Sequence, residues 1–173
     1  MVAKLVLVSS GAFVACYAEG LTDARKARLT AEESAEVDAI LAQMTGEPAS
    51  GPGADARLAR LGQLMSRADG YKVLPESTAT RVECDMRVFQ GVWPEAAALR
   101  ESGQLLALGR HITCPVVAIH GDFDPSPANG VRVPLSSVLA DFRFILLERC
   151  GHSPWEERWA AGEFFRVLDR ILE

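Results

Sequence analysis

The sequence predicts an α/β protein with parallel strands beneath covering helices, and three observations carry that prediction. Three short runs, Lys4–Val8, Val116–Ile119 and Phe142–Leu147, have the near-continuous apolar character of strands buried on both faces. Stretches with apolar residues at helical spacing lie between the later runs and after the last one. Strand, helix, strand, helix is the order of a parallel sheet with crossover helices. At 173 residues the chain is one ordinary domain or a piece of a larger one.

The elements follow in order. Lys4–Val8 is the first strand, and Ser9-Ser10-Gly11 opens a loop beyond it. A mainly helical stretch comes next. Thr30-Ala31-Glu32-Glu33 fits a capping box, in which hydroxyl and carboxylate satisfy free backbone amides at a helix start. Val37, Ile40, Leu41 and Met44 then recur at helical spacing up to Gly46. The Gly- and Pro-rich run 46–53 reads as a loop, Asp55–Ser66 as a short helix with Leu58, Leu61, Leu64 and Met65 on one side, and Pro75–Thr80 as a polar connection. Pro94 is placed to open a helix through Leu99, and the apolar patches Val88-Phe89 and Val92-Trp93 before it read as helix-packing core or as a pocket wall.

After Cys114-Pro115 the pattern changes. The strand Val116–Ile119 runs into the polar turn His120-Gly121-Asp122-Phe123-Asp124-Pro125. Val131, Leu135, Val138 and Leu139 mark the next helix, and Phe142–Leu147 the next strand, ending at Glu148. A second polar turn, Cys150-Gly151-His152-Ser153-Pro154, precedes a final helix, Trp155–Leu172, whose apolar face comprises Trp155, Trp159, Phe165, Leu168 and Leu172. Glu156-Glu157 suits that helix's first turn, and Arg25, Lys26 and Arg28 form a small basic cluster on a solvated face.

Composition narrows the function. Apolar residues at 49% and charged residues at 24% are globular values, and 18 basic against 23 acidic residues, a net charge of −5, exclude the basic face of a nucleic-acid binder. No apolar run approaches the length of a membrane span. The four cysteines, Cys16, Cys84, Cys114 and Cys150, are far apart and form no Cys-x-x-Cys pair, which speaks for reduced thiols in a cytoplasmic protein. Phe13-Val14-Ala15-Cys16 leaves a lipoprotein cleavage site at Cys16 as the alternative, opposed by a single lysine upstream and by the interrupting Ser9-Ser10-Gly11.

In open parallel sheets, ligands bind beyond the carboxyl ends of the strands. Both polar turns lie there. Asp124 follows one strand and His152 the next, and a carboxylate so placed can fix an imidazole's tautomer and stabilise its cation. The imidazole can then take a proton from a nucleophile and return it to a leaving group. Asp122 competes for the acid's role, and His120, Asp122 and Asp124 together leave a metal site open as an alternative chemistry.

The pieces Cys114–Asp124 and Glu148–His152 resemble the C-terminal part of an α/β-hydrolase, and Lys4–Gly11 is similar to the family's strand after the nucleophile helix. The resemblance implies that residues 1–11 and 112–173 form part of the hydrolase core and that 12–111 form a mainly helical cap. It implies Asp124 as triad acid, three residues after Gly121, and His152 as triad base, with a small-molecule ester, amide or related bond as substrate and with no metal or organic cofactor. The family's nucleophile elbow, Gly-x-Ser-x-Gly, occurs nowhere in the sequence. Ser9 and Ser10 follow a strand, but neither has a glycine two residues before it as an elbow requires, and Ser126 and Ser153 read as turn or cap residues. The resemblance thus yields an acid and a base without a serine; the alternative is an inactive hydrolase-like binding module. It also leaves the apolar edge at Lys4–Val8 open for self-association or for a complementary chain.

Overall fold

A computed structural model describes residues 2–46, 53–75 and 84–173. Most of the expected loop at 46–53 and the connection at 76–80 lie outside the described residues. Three parallel strands form one sheet in the order β1 (Leu5–Val8), β2 (Val116–Gly121), β3 (Phe142–Leu147). Leu5 stands opposite Val116, and Val116 opposite Phe142. The three predicted strands are therefore present and parallel, β3 with its bounds unchanged.

Alternate residues of a strand point to opposite faces, and each face has its own helix. Val117, Ile119, Leu147 and the half-buried Val6, Val8 and Ile145 pack against Phe164 and Ile171 of α7 (Ala161–Leu172). Val116, Ala118 and the half-buried Leu5, Leu7, Phe142 and Phe144 pack against Val131 and Leu135 of α6 (Asn129–Val138). β2, with neighbours on both sides, is buried at every residue, whereas β1 is only half-buried along its length. Its outer edge pairs with no strand among the described residues.

Between β1 and β2 the chain makes a helical excursion: α1 (Leu21–Lys26), α2 (Ala31–Gly46), α3 (Ala54–Asp69), α4 (Met86–Glu101) and α5 (Gln104–Ala107). The capping box forms, with the Glu33 carboxylate accepting from Thr30 N at 3.0 Å and Thr30 Oγ1 accepting from Glu33 N at 3.2 Å. α2 and α3 share a second core of Val37, Ile40, Leu61 and Leu64, the residues that helical spacing selected.

Three expectations need correction. α4 does not open at Pro94; it starts at Met86, because Asp85 caps it by accepting from Arg87 N at 2.8 Å and Val88 N at 3.3 Å, and Pro94 lies inside. The patches before Pro94 are no packing core, since Val88, Val92 and Trp93 are exposed. The last helix begins at Ala161 after a separate 3₁₀ turn, Pro154–Glu156, and this break shifts its phase. Phe164 and Ile171 are buried instead of Trp159, Phe165 and Leu172, which are exposed.

Candidate active site

Both polar turns lie at the carboxyl ends of adjacent strands, and backbone bonds clamp one to the other. Asp122 N donates to Leu147 O at 2.9 Å and Phe123 N to Cys150 O at 2.9 Å. The fit depends on Gly121, where a Cβ would overlap the carbonyl oxygens of Cys150 and Gly151.

The turns bring Asp124 and His152 together. Asp124, whose side chain is fully buried, accepts from Ser126 N at 2.9 Å through Oδ1 and meets His152 Nδ1 at 2.8 Å through Oδ2. A carboxylate only accepts, so Nδ1 carries the proton and Nε2 is left as the imidazole's lone-pair nitrogen. No residue described bonds to that Nε2, and the imidazole is 39% exposed. The Asp124 hydrogen bond raises the His152 pKa above its ordinary value; burial opposes it, Asp124 and Asp69 add attraction, and Arg25 subtracts.

The competing residues fall elsewhere. Asp122 accepts from Cys150 N at 3.1 Å, a structural bond within the paired turns. His120 is fully buried below the pair, with Nε2 donating to Ser126 O at 2.8 Å and lying 3.6 Å from Asp124 Oδ2. Among the described residues no group of three His, Cys, Asp or Glu side chains is arranged to hold a metal ion. Ser9 takes a left-handed φ of 48° at the end of β1, and the Oγ atoms of Ser9 and Ser10 are buried without a hydrogen-bond partner. The backbone that follows is irregular and reaches a 3₁₀ turn at Ala15–Tyr17, so the strand-to-helix elbow is absent there. Burial pushes the Cys150 thiol up to about 12, aided by the charges of Glu157, Asp122 and Asp124, which leaves it a poor nucleophile.

Two features of the site escaped the sequence. The basic cluster at and after α1 is partnered and not merely solvated: Arg25 grips the buried Asp69 through two bonds of 2.7 and 2.8 Å, while at the surface Lys26 pairs with Asp38 at 2.5 Å and the guanidinium of the exposed Arg28 sits 3.9 Å from the Phe123 ring centroid. Glu157, read as a helix-start acid, is a buried carboxylate accepting from Tyr71 N at 2.6 Å, Lys72 N at 2.7 Å and Gly151 N at 2.9 Å. Around it, residues 69–74 run alongside the His152 turn. His152 N donates to Asp69 O at 2.9 Å, Leu74 N to Glu156 O at 2.8 Å, and Arg158 N to Lys72 O at 2.9 Å. Partners more than 80 residues apart leave no trace in local spacing.

No family model and no curated protein matches the chain. Solved structures do. A proline iminopeptidase from Mycobacterium smegmatis superposes with a TM-score of 0.54 at 19% identity, covering 98% of this chain and 56% of that one. VinJ superposes with a TM-score of 0.59 at 16% identity, again over 98% of this chain and 56% of the other. The fold is that of the α/β-hydrolases, as the sequence resemblance implied, and the chain spans about half the length of these structures. Among the described residues no helix is long and apolar enough to cross a membrane.

Proposed function

We propose that this chain supplies the acid and base of a serine-hydrolase site: Asp124 the acid, His152 the base, and the nucleophilic serine from outside these 173 residues. The observation that carries the reading is the 2.8 Å bond between Asp124 Oδ2 and His152 Nδ1 at the ends of neighbouring parallel strands. It leaves Nε2 facing outward as a base. Nε2 takes the proton of the attacking hydroxyl as the oxygen bonds to the carbonyl carbon of a small-molecule ester, amide or related substrate. The imidazolium, stabilised by the Asp124 carboxylate, then protonates the leaving group, and the same two transfers with water release the acid.

On this reading residues 12–111 are a cap above the core formed by 1–11 and 112–173. The half-buried β1 edge receives a strand from a complementary segment or from a second copy. Cys16, Cys114 and Cys150 form no disulfides, which suits a cytoplasmic setting. No step calls on a metal or an organic cofactor.

The test is turnover of short activated esters by the protein purified from its source cells with any associated chain, intact mass being recorded on the same sample. A mass well above 18.7 kDa, or a stoichiometric partner, together with turnover that His152→Ala lowers by about ten-thousandfold, supports the reading. Turnover indifferent to His152→Ala removes it. Inert protein that still binds a ligand favours the inactive binding module, a reading that the missing Gly-x-Ser-x-Gly supports.

A further inference from the structure

We infer that Glu157 is a positioning residue for His152, coupling the end of α3 to the turn that carries the imidazole. The inference rests on the proposed role of His152 and goes beyond it, because nothing in an acid-base pair requires a third carboxylate.

Glu157 is 1% exposed, and its side chain forms no ion pair among the described residues. Burying a carboxylate is strongly unfavourable unless hydrogen bonds replace its water. Here three backbone N–H groups replace it: Gly151 and Tyr71 donate to Oε1 and Lys72 donates to Oε2. One donor is the residue immediately before His152, and the other two belong to the segment following α3. The same segment holds His152 directly, through its own amide on the Asp69 carbonyl. Asp69 is in turn fixed by the two-bond grip of Arg25. His152 is thus suspended between Asp124 on its ring and the segment 69–72 on its backbone, with Glu157 as the junction between that segment and the turn.

Space enforces the same arrangement. A Cβ at Gly151 would collide with the Asp69 carbonyl oxygen and with Glu157 Oε1, so segment and turn meet without a gap. A generic buried carboxylate would be exchangeable for an amide of the same shape. This one is not. Three N–H donors need acceptors on both ends of the side chain, and a glutamine offers one oxygen and a competing NH₂. Glu157→Gln therefore leaves the amide facing Oε2 opposite a second donor and loosens the segment from the turn.

The experiment follows the imidazole titration of the full-length protein by nuclear magnetic resonance, assigned among the three histidines with His152→Ala, alongside amide hydrogen exchange. Glu157→Gln also removes a negative charge beside the turn, so the geometric contribution is read from Glu157→Asp, which keeps that charge and changes only the reach of its two oxygens. In the unaltered protein His152 titrates above 6.5. In Glu157→Gln it falls back toward 6.5, and exchange at Gly151, Tyr71 and Lys72 quickens by about tenfold, as for one lost hydrogen bond. Glu157→Asp, which keeps both acceptors on a shorter stem, retains part of the shift and serves as the readout if the glutamine variant does not fold. A folded variant with fast exchange but an unchanged His152 titration overturns the inference, since Glu157 would then be structural only. An unaltered protein whose His152 titrates at or below 6.5 overturns instead the Asp124–His152 reading beneath it.

Discussion

The helical excursion meets solvent and sheet in two contrasting ways. At the end of α3 the backbone is tied to the His152 turn at nearly every residue: Asp69 O, Tyr71 N, Lys72 N and O, and Leu74 N each have a partner between His152 and Arg158. α4 does the opposite on one side. Val88, Val92 and Trp93 stand exposed and, with Asp85 and Phe89, line an open depression of about 340 Å³. The first region spends polar groups to hold a geometry. The second leaves apolar area in water, where it adds nothing to this chain's stability. What separates them is polar satisfaction, not hydrophobicity: the segment after α3 is tied down because its amides meet the buried Glu157 carboxylate and the 152–158 backbone, and an unmade bond to a buried carboxylate has a high cost.

Breaking the tied region should therefore have the largest effect. Gly151→Ala places a methyl group against the Asp69 carbonyl oxygen and Glu157 Oε1, neither of which can retreat without losing its own partner. We expect a loss of about 3 kcal/mol, the upper range for overpacking with strained polar groups, read as a shift of the urea midpoint at constant slope. A change below about 0.5 kcal/mol would mean that segment and turn part easily, and the contrast with α4 would collapse.

A smaller and pH-dependent effect sharpens the same comparison. The His152 pKa is raised in the folded protein, chiefly by Asp124, so the stabilisation from this pair is fully present below 6.5 and disappears as pH rises through the elevated value. The difference in stability between the unaltered protein and His152→Gln should accordingly narrow on going from acid to alkaline buffer. Denaturant midpoints of both proteins across that interval are the check, and a difference that widens with pH would reverse the assigned direction. Hydrolysis, if it occurs, runs the other way, since only the neutral imidazole accepts a proton.

How far the sequence could foretell this depends on the reach of each interaction. The strands were legible because each holds four apolar residues in succession, and the capping box because Thr30 and Glu33 are three residues apart. The Asp124–His152 meeting was legible too, although 28 residues separate them, because both follow a strand of the same parallel sheet and topology brings such turns together. Glu157 and Arg25 were not. Glu157 finds Tyr71 at a separation of 86 residues and Arg25 finds Asp69 at 44, across elements whose mutual placement no periodicity encodes. Each had a plausible local role, helix-start acid and solvated cation, and the local role was wrong. The phase of α7 failed for a nearer reason: the 3₁₀ turn at Pro154–Glu156 broke the helix that Trp155 and Trp159 were expected to join.

The smallest effect belongs to α4. Trp93 is 60% exposed, and its contact with Phe89, ring centroids 5.5 Å apart, is its one ring contact among the described residues. In the isolated chain, Trp93→Ser removes little buried area and leaves no polar group stranded, so the expected loss is about 0.5 kcal/mol or less by thermal unfolding. The position is already helical and solvent-facing, and serine is only slightly poorer than tryptophan there. A loss of about 2 kcal/mol or more would show that the indole is covered in solution, and the two regions would then differ only in what covers them: backbone in one, another surface in the other. Repeating the measurement on protein purified with any associated chain separates the two cases, because a cost that appears only in the associated form places the partner on α4 and not on the edge of β1.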